Sequence, residues 1–443
     1  MTVIRLTWLL RRATDKRAAL IGAGAYALVT ALLLITLGGG WAFMQWQGEE
    51  APMYQMLATL ALILLVVPLA YLGAAAARLS ARAQDRRLST LRLVGATGPQ
   101  VGGVTVLGAA SEALVGVLGG AVLAAAATPL VGLIHFRGEA LGAQLWLPWW
   151  LQALVMLAVV VLAGVSAMGG LRRVLVTPLG VRTRQVAKVP SWLRVVVALG
   201  LVVGGSSAMT MNGAVGEAFG TAGMVVMVLG VLLGGLVALN AIGPWVLRVW
   251  GNGRVRRAST PQALLAARTV LDDPAATWRQ VSGAAMAGFV AVVGGVGAAM
   301  MSQVSPEATP AEALMAADVL TGVVVTLVIA FVGVVCTTLV AQAATVLDRE
   351  ELTGALETMG VPAAFSTQAR VGALMRPLII VLLLAIVSSA ALLFPLVGMA
   401  MIMQPLTVAI VAGVCAGGVL AVRGATSLAG RVSQGGARIP AGV

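Results

Sequence analysis

Histidine, cysteine and lysine are almost missing from this chain of 443 residues, which has one histidine, two cysteines and, as lysines, only Lys16 and Lys188. A helical zinc-protease motif needs two histidines on one face. His135 stands alone, which removes that class, and it reads as a polar residue near the outer end of an apolar run. A phosphate-binding loop ends in Gly-Lys-Ser/Thr. Lys16 is followed by Arg17 and Lys188 by Val189, so any ATP that drives this protein is hydrolysed on another chain. Cys336 and Cys415 lie inside apolar runs and read as small packing residues.

Charge is scarce too. Only 10% of the residues are Asp, Glu, Lys or Arg, against 60% hydrophobic, which places the chain with the polytopic membrane proteins. A hydrocarbon core about 30 Å thick takes roughly 20 apolar residues to cross as helix. Ten such runs are predicted at 18–46, 54–79, 103–135, 149–170, 193–211, 219–247, 280–302, 318–346, 371–398 and 405–424. Long Leu/Val/Ala/Gly runs fit helices, whereas a membrane barrel would show short alternating strands. The first run is much longer than the apolar part of a signal peptide and closes without a small-residue cleavage site, so it reads as a retained helix.

Lys and Arg collect on the cytoplasmic side of membrane proteins. With the N-terminus inside, Arg5, Arg11, Arg12, Lys16 and Arg17 are cytoplasmic, as are the clusters at 78–92, 172–194, 248–279, 349–376 and 423–438, leaving only Arg137 of the 29 cations outside. An odd number of spans would scramble that pattern. The net charge of +13 is therefore a topology signal. Nucleic acid, which would need the charge on one folded basic surface, is not an expected partner.

Two local features stand out. Glu112 is a carboxylate within the third span, in "GAASEALVGVLGG". Such a group pairs with a neighbouring arginine or backbone donor, or takes part in conformational coupling. The second feature is an internal echo. "DRRLSTLRLVGATGP" from Asp85 is repeated as "REELTGALETMGVP" from Arg349, with Leu91 and Gly95 matched by Leu356 and Gly360. Each copy reads as a short helix closed by glycine. The first is basic through Arg86, Arg87 and Arg92; the second carries Glu350, Glu351 and Glu357. Anionic lipid would attract the first and repel the second, so a protein groove is the better common partner.

"RRLSTLRLVGAT" resembles the cytoplasmic motif of FtsX-like permeases, the membrane subunits of ABC systems of the MacB, LolC and bacitracin-resistance types. Glu112-Ala113-Leu114 with Gly119-Gly120 is similar to the pattern that follows it there, and "LRRVLVTPLGVRTR" (171–184) to the exit from the family's fourth helix. The likeness covers 54–184 well and 260–425 weakly. By simple offset Pro377 stands where Glu112 would recur.

The resemblance implies an all-α integral membrane fold. Two parallel-related four-helix units at 18–184 and 258–443 would be joined by two linking helices at 185–257, after an interfacial helix over 1–17. In that first stretch, "VIRLTWLLRRATDKR" opposes Ile4, Trp8 and Leu9 to Arg5, Arg11 and Arg12; "ALLAARTVLDDPAATWRQV" before the seventh span is similar. Gly116, Gly119 and Gly120, with Gly294 and Gly295, would permit close helix approach.

The resemblance further implies a non-catalytic permease subunit, multi-pass in a bacterial cytoplasmic membrane with both termini inside. Two copies of a cytoplasmic ABC ATPase would use ATP and magnesium, and this chain would bind no cofactor itself. Arg86, Arg87, Leu91, Arg92 and Gly95, with Glu350, Glu351, Leu356, Glu357 and Gly360, are the expected ATPase-coupling residues, and Glu112 a conformational coupling residue. The family's large outer domains are absent: only about seven residues (47–53) and about fifteen (303–317) stand in their places. The expected function is export or extraction of an antibiotic, peptide, lipid or similar amphiphile from the membrane. A regulatory module that passes ATPase state to a sensor kinase, accessory protein or wall enzyme is the alternative. Haem export, with Met399, Met401 and Met403 beside Met300 and Met301 as soft ligands, ranks third.

Overall fold

The computed structural model describes residues 16–93, 98–176, 192–302, 310–360 and 363–436. Lipid supplies no hydrogen bonds, so a chain this apolar satisfies its backbone within helices. Twelve are described: α1 (Lys16–Met44), α2 (Ala51–Leu93), α3 (Gly98–Val131), α4 (Trp149–Val176), α5 (Trp192–Thr210), α6 (Asn212–Arg256), α7 (Pro261–Asp272), α8 (Pro274–Met301), α9 (Pro310–Thr358), α10 (Ala363–Leu392), α11 (Phe394–Met403) and α12 (Pro405–Gly436). A hairpin of β1 (His135–Phe136) and β2 (Glu139–Ala140), then a 3-10 turn (Gly142–Leu145), join α3 to α4.

Ten of the described helices, all but α7 and α11, are long and apolar enough to cross a membrane, in the order expected. The protein is an all-helical, multi-pass membrane protein by that measure. Several boundaries differ from the sequence reading. The ninth span ends at Leu392, and residues up to 398 belong partly to α11, because Pro395 opens a new helix after the turn at Leu393. The third span stops at Val131, and His135 sits exposed on β1. The expected interfacial helix at 1–17 falls mostly outside the described residues, and Lys16 and Arg17 already belong to α1. Its counterpart before the seventh span is present as α7, capped by the Thr260 side chain, which accepts from the Ala263 amide.

The largest correction concerns the echoed segments. Neither is a separate short helix. Residues 86–93 are the last turns of α2, whose apolar span ends at Ser80, and residues 350–358 are the last turns of α9, whose span ends at Ala343. The 43 and 49 residues of these helices give lengths of about 64 and 74 Å. Both are therefore more than twice as long as a hydrocarbon core of about 30 Å is thick. Gly360 follows α9 at φ 82°, a conformation that suits glycine as a helix stop. Gly95 lies outside the described residues.

Packing forms two sets. α1 holds α2, α3 and α4; α8 holds α9, α10 and α12. The sets meet where α2 packs on α9, and α1 and α8 each reach across to the other set's long helix. α5 and α6 form a peripheral pair, with Leu392 of α10 against Gly205 and Gly235. The main core surrounds α8, where every residue from Val281 to Ala291 is buried, and includes Leu64, Leu65 and Leu69 of α2 and Leu232, Leu236 and Leu239 of α6. Cys336 and Cys415 are buried among packed helices, as expected.

Glycine sets the α1–α3 distance. A Cβ on Gly120 would lie 2.6 Å from the Ala27 carbonyl oxygen and 2.7 Å from Thr30 Cβ, and one on Gly116 would strike the Ala23 carbonyl. Gly119 was expected to share this role but is exposed, and a Cβ there would come no nearer than 3.8 Å to Ala27 Cβ. In the second set a Cβ on Gly294 would lie 2.8 Å from Val323, whereas one on Gly295 would make only ordinary contact with Val411, at 3.6 Å.

Replacing Gly120 with Leu should destabilise the detergent-purified chain by about 1–3 kcal/mol through overpacking. Gly119→Leu should stay within about 0.5 kcal/mol of the parent, as a surface change. Thermal unfolding of the two variants side by side checks the assignment.

Candidate functional site: polar contacts along α2

Polar side chains inside a membrane bundle need partners, and three on α2 find them at three heights. Near the hairpin end, the Tyr54 hydroxyl donates to Asp318 Oδ2 of α9 at 2.7 Å. Further along, the Tyr71 hydroxyl donates to Asn240 Oδ1 of α6 at 3.2 Å, and Trp278 Nε1 of α8 donates to the same oxygen at 3.2 Å. At the other end of the span, Ser80 Oγ donates to Glu112 Oε2 of α3 at 2.8 Å. From Tyr54 to Ser80 is 26 residues of helix, about 39 Å. These contacts tie α2 to α9, α6 and α3 in turn.

The Asp318 node is the most enclosed. Its side chain is 7% exposed, and Oδ2 also accepts from the Arg137 backbone N–H at 2.8 Å. Arg137 and Gly138 form the two-residue hairpin turn, at φ 55° and 79°. Such turns take positive φ at both positions. For arginine that costs about 1–3 kcal/mol. The surroundings hold it in place: its guanidinium stacks over Trp46 at 5.6 Å, and its amide is anchored on Asp318. Phe43, Trp46, Tyr54 and Phe136 pack as a ring cluster around the turn, with centroids 4.6–6.5 Å apart, and Trp46 Nε1 donates to Gln144 at 2.8 Å. Arg137, expected as the lone outer cation, is thus part of a clamp joining α1, α2, α9 and the hairpin.

Glu112 has a different seat. Its carboxylate lies directly on Gly22 of α1, in the space a Cβ there would take. Tyr26 of α1, fully buried, faces the same Ser80–Glu112 pair. The acid expected from sequence therefore lies where α1, α2 and α3 converge. Asn240 likewise sits beside a close approach: a Cβ on Gly243, one turn on, would strike the Trp278 ring.

Arg86, Arg87, Leu91 and Arg92 are placed on the final turns of α2, and Glu350, Glu351, Leu356 and Glu357 on those of α9, as backbone positions only. Pro377, the offset counterpart of Glu112, is buried inside α10. Met399, Met401 and Met403 are exposed on α11, and Met300 packs with Ala400 and Val397. No cluster of three or more His, Cys, Asp or Glu suited to a metal ion occurs among the described residues.

Asp318, Asn240, Tyr54 and Tyr71 escaped the sequence reading. Asp318 fell at the first residue of a predicted span, where an acid looks like a solvated boundary. Asn240 and the tyrosines carry no charge to mark them.

Asp318→Ala should lower stability by about 1–3 kcal/mol, since the Tyr54 hydroxyl and the Arg137 amide both lose an acceptor. Tyr54→Phe should cost about 1 kcal/mol, as a single interhelical bond. The double variant should be no worse than Asp318→Ala alone, because the bond counts once. Equilibrium unfolding of the three variants in detergent reads this out.

Compared with protein-family models, curated proteins and solved structures, the chain matches none.

Proposed function

We propose that this chain is the permease subunit of an ABC transporter, with α2 and α9 as levers that pass the state of a separate ATPase into the bundle. One observation carries the reading. The two helices that bear the echoed segments are also helices that far overrun the membrane thickness, and they pack on each other within it. A helix transmits displacement along its axis through its turn-by-turn hydrogen bonds, of which Pro68 removes one in α2. Motion of the α2 end therefore reaches the Ser80–Glu112, Tyr71–Asn240 and Tyr54–Asp318 contacts in sequence.

On this reading the ends of α2 and α9 are cytoplasmic, the hairpin end is external, and the membrane is a bacterial plasma membrane. The two sets of helices act as parallel-related FtsX-like units, each with one lever, so two ATPase copies bind per permease. The polar contacts suit such a device. Interhelical side-chain hydrogen bonds in membranes are worth about 0.6 kcal/mol on average. Contacts of that size exchange readily when ATP binding supplies a bias.

The substrate is an amphiphile taken laterally from the bilayer. Support comes from the exposed apolar faces of α3, α4 and α5, including Val122, Leu130, Leu157, Val161 and Val203. The short connections at the hairpin end also leave little chain for a substrate-gripping head.

The test is co-purification with the ATPase encoded beside this chain. The parent should carry two ATPases per permease. Arg87→Glu/Arg92→Glu should weaken retention about tenfold, which corresponds to 1.4 kcal/mol. A single ATPase per chain, or undiminished retention by the charge-reversed variant, overturns the lever reading.

A further inference from the structure

From Ala390 to Met403 the chain reads "AALLFPLVGMAMIM", with no polar side chain. Most of that stretch is α11, a helix of ten residues. At about 15 Å it is half the length needed to cross a hydrocarbon core. It lies at the hairpin end of the bundle: Ala400 and Val397 pack with Val296, Ala299 and Met300 at the end of α8, and the next helix, α9, starts beside the hairpin through Asp318. Val397 and Ala400 thus fix one side of α11. Phe394, Gly398 and Ile402 recur every four residues on the opposite side, with Met399 and Met403 next to them. All five are exposed, Ile402 to 81% and Phe394 to 75%.

Where α10 turns into α11 at Leu393, a groove of about 910 Å³ opens. Its lining combines small residues, Ala390, Ala391 and Gly398, with Phe394, Met399 and Met403. A Cβ on Gly398 would meet nothing within 4 Å, so the space beside it is free. Ligand sites span about 300–1,000 Å³ and orient polar ligands with a few placed donors and acceptors. No lining side chain here supplies one, so the groove suits hydrocarbon. Methionine, unbranched and adaptable, fits a chain of many conformers.

The membrane surface of α10 continues into this groove. Leu383, Val387 and Ala391, four residues apart, form an exposed apolar stripe on the spanning helix, and lipid covers such a stripe. Ala391 ends the stripe and also lines the groove. A chain from the bilayer therefore reaches the groove without meeting a polar side chain on that face. No charged residue stands between Arg376 and Arg423, so this part of the protein offers a headgroup no ion pair.

We propose that the α10–α11 groove is a binding site for one acyl chain of a phospholipid from the leaflet at the hairpin end, held by its chain and not by its headgroup. Bulk lipid is as apolar as the groove, so retention comes from dispersion contact on several sides at once. The site is separate from the α2 contacts and holds whether or not the chain couples to an ATPase.

Native mass spectrometry and photolabelling of the detergent-purified full chain test it. Phosphatidylcholine and phosphatidylglycerol, both dipalmitoyl, would be added in equal amounts. The parent should retain one tightly held lipid per chain, of either headgroup equally. G398W, which fills the free space, should lose that lipid, and V203W on the exposed face of α5 should keep it. A phosphatidylcholine with a diazirine at the end of one acyl chain should label residues 390–403 severalfold more than residues 196–203 of α5. The same lipid with the diazirine on its headgroup should not. An unchanged lipid count in G398W overturns the proposal, as does a severalfold preference for one headgroup. Equal loss in V203W would assign the lipid to the general lipid shell and overturn it too. Photolabelling needs only the parent, so equal labelling of the two stretches decides against the groove even where G398W fails to fold.

Discussion

Hydrocarbon offers no hydrogen bonds, so a polar side chain within the spans is stabilised where another part of the protein answers it. In this chain α2 supplies the donors at three heights, through Tyr54, Tyr71 and Ser80, and three different helices supply the acceptors. The rest of the bundle is arranged around that requirement. α9 must lie against α2 for Asp318 to reach Tyr54, α6 and α8 must converge for Asn240 to serve both Tyr71 and Trp278, and α3 must come close enough to place Glu112 beside Ser80. Each bond is weak on its own. The contacts thus specify register more than they add stability.

Close approach is the counterpart of that polar specification. Glu112 sits where it does because Gly22 leaves the space of a side chain, and Gly116 and Gly120 bring the α3 backbone onto α1 below it. The second set reaches similar closeness with glycines on α8: Gly283 against Val334, Gly288 against Leu382 and Ala385, and Gly294 against Val323. Both sets thus use glycine for close helix approach, at different contacts. Where the first uses a carboxylate on glycine, the offset position in the second is the buried Pro377. An acid there would need both a cavity and a donor; the α8–α10 contact, filled by Leu382 and Ala385, is apolar.

The hairpin clamp shows how little extramembrane chain is needed to order that end. Arg137 accepts an unfavourable backbone conformation because three things hold it at once: the two-residue turn, the Trp46 ring and the Asp318 carboxylate. The same carboxylate joins α2 to α9, so the turn and the helix pair depend on one group.

The number, order and approximate limits of the spans were legible in the sequence because membrane crossing depends on local hydropathy, summed over about 20 residues. Glu112 was legible for the same reason, as a charge inside such a run. What the tertiary structure decided is of another kind. That residues 86–93 and 350–358 continue α2 and α9 follows from the absence of a break after the apolar run, which a change in composition had suggested. That Asp318 is enclosed and that Asn240 is shared depend on which faces of distant helices meet. Hydropathy reports how deep a residue can lie, and only packing determines what it faces at that depth.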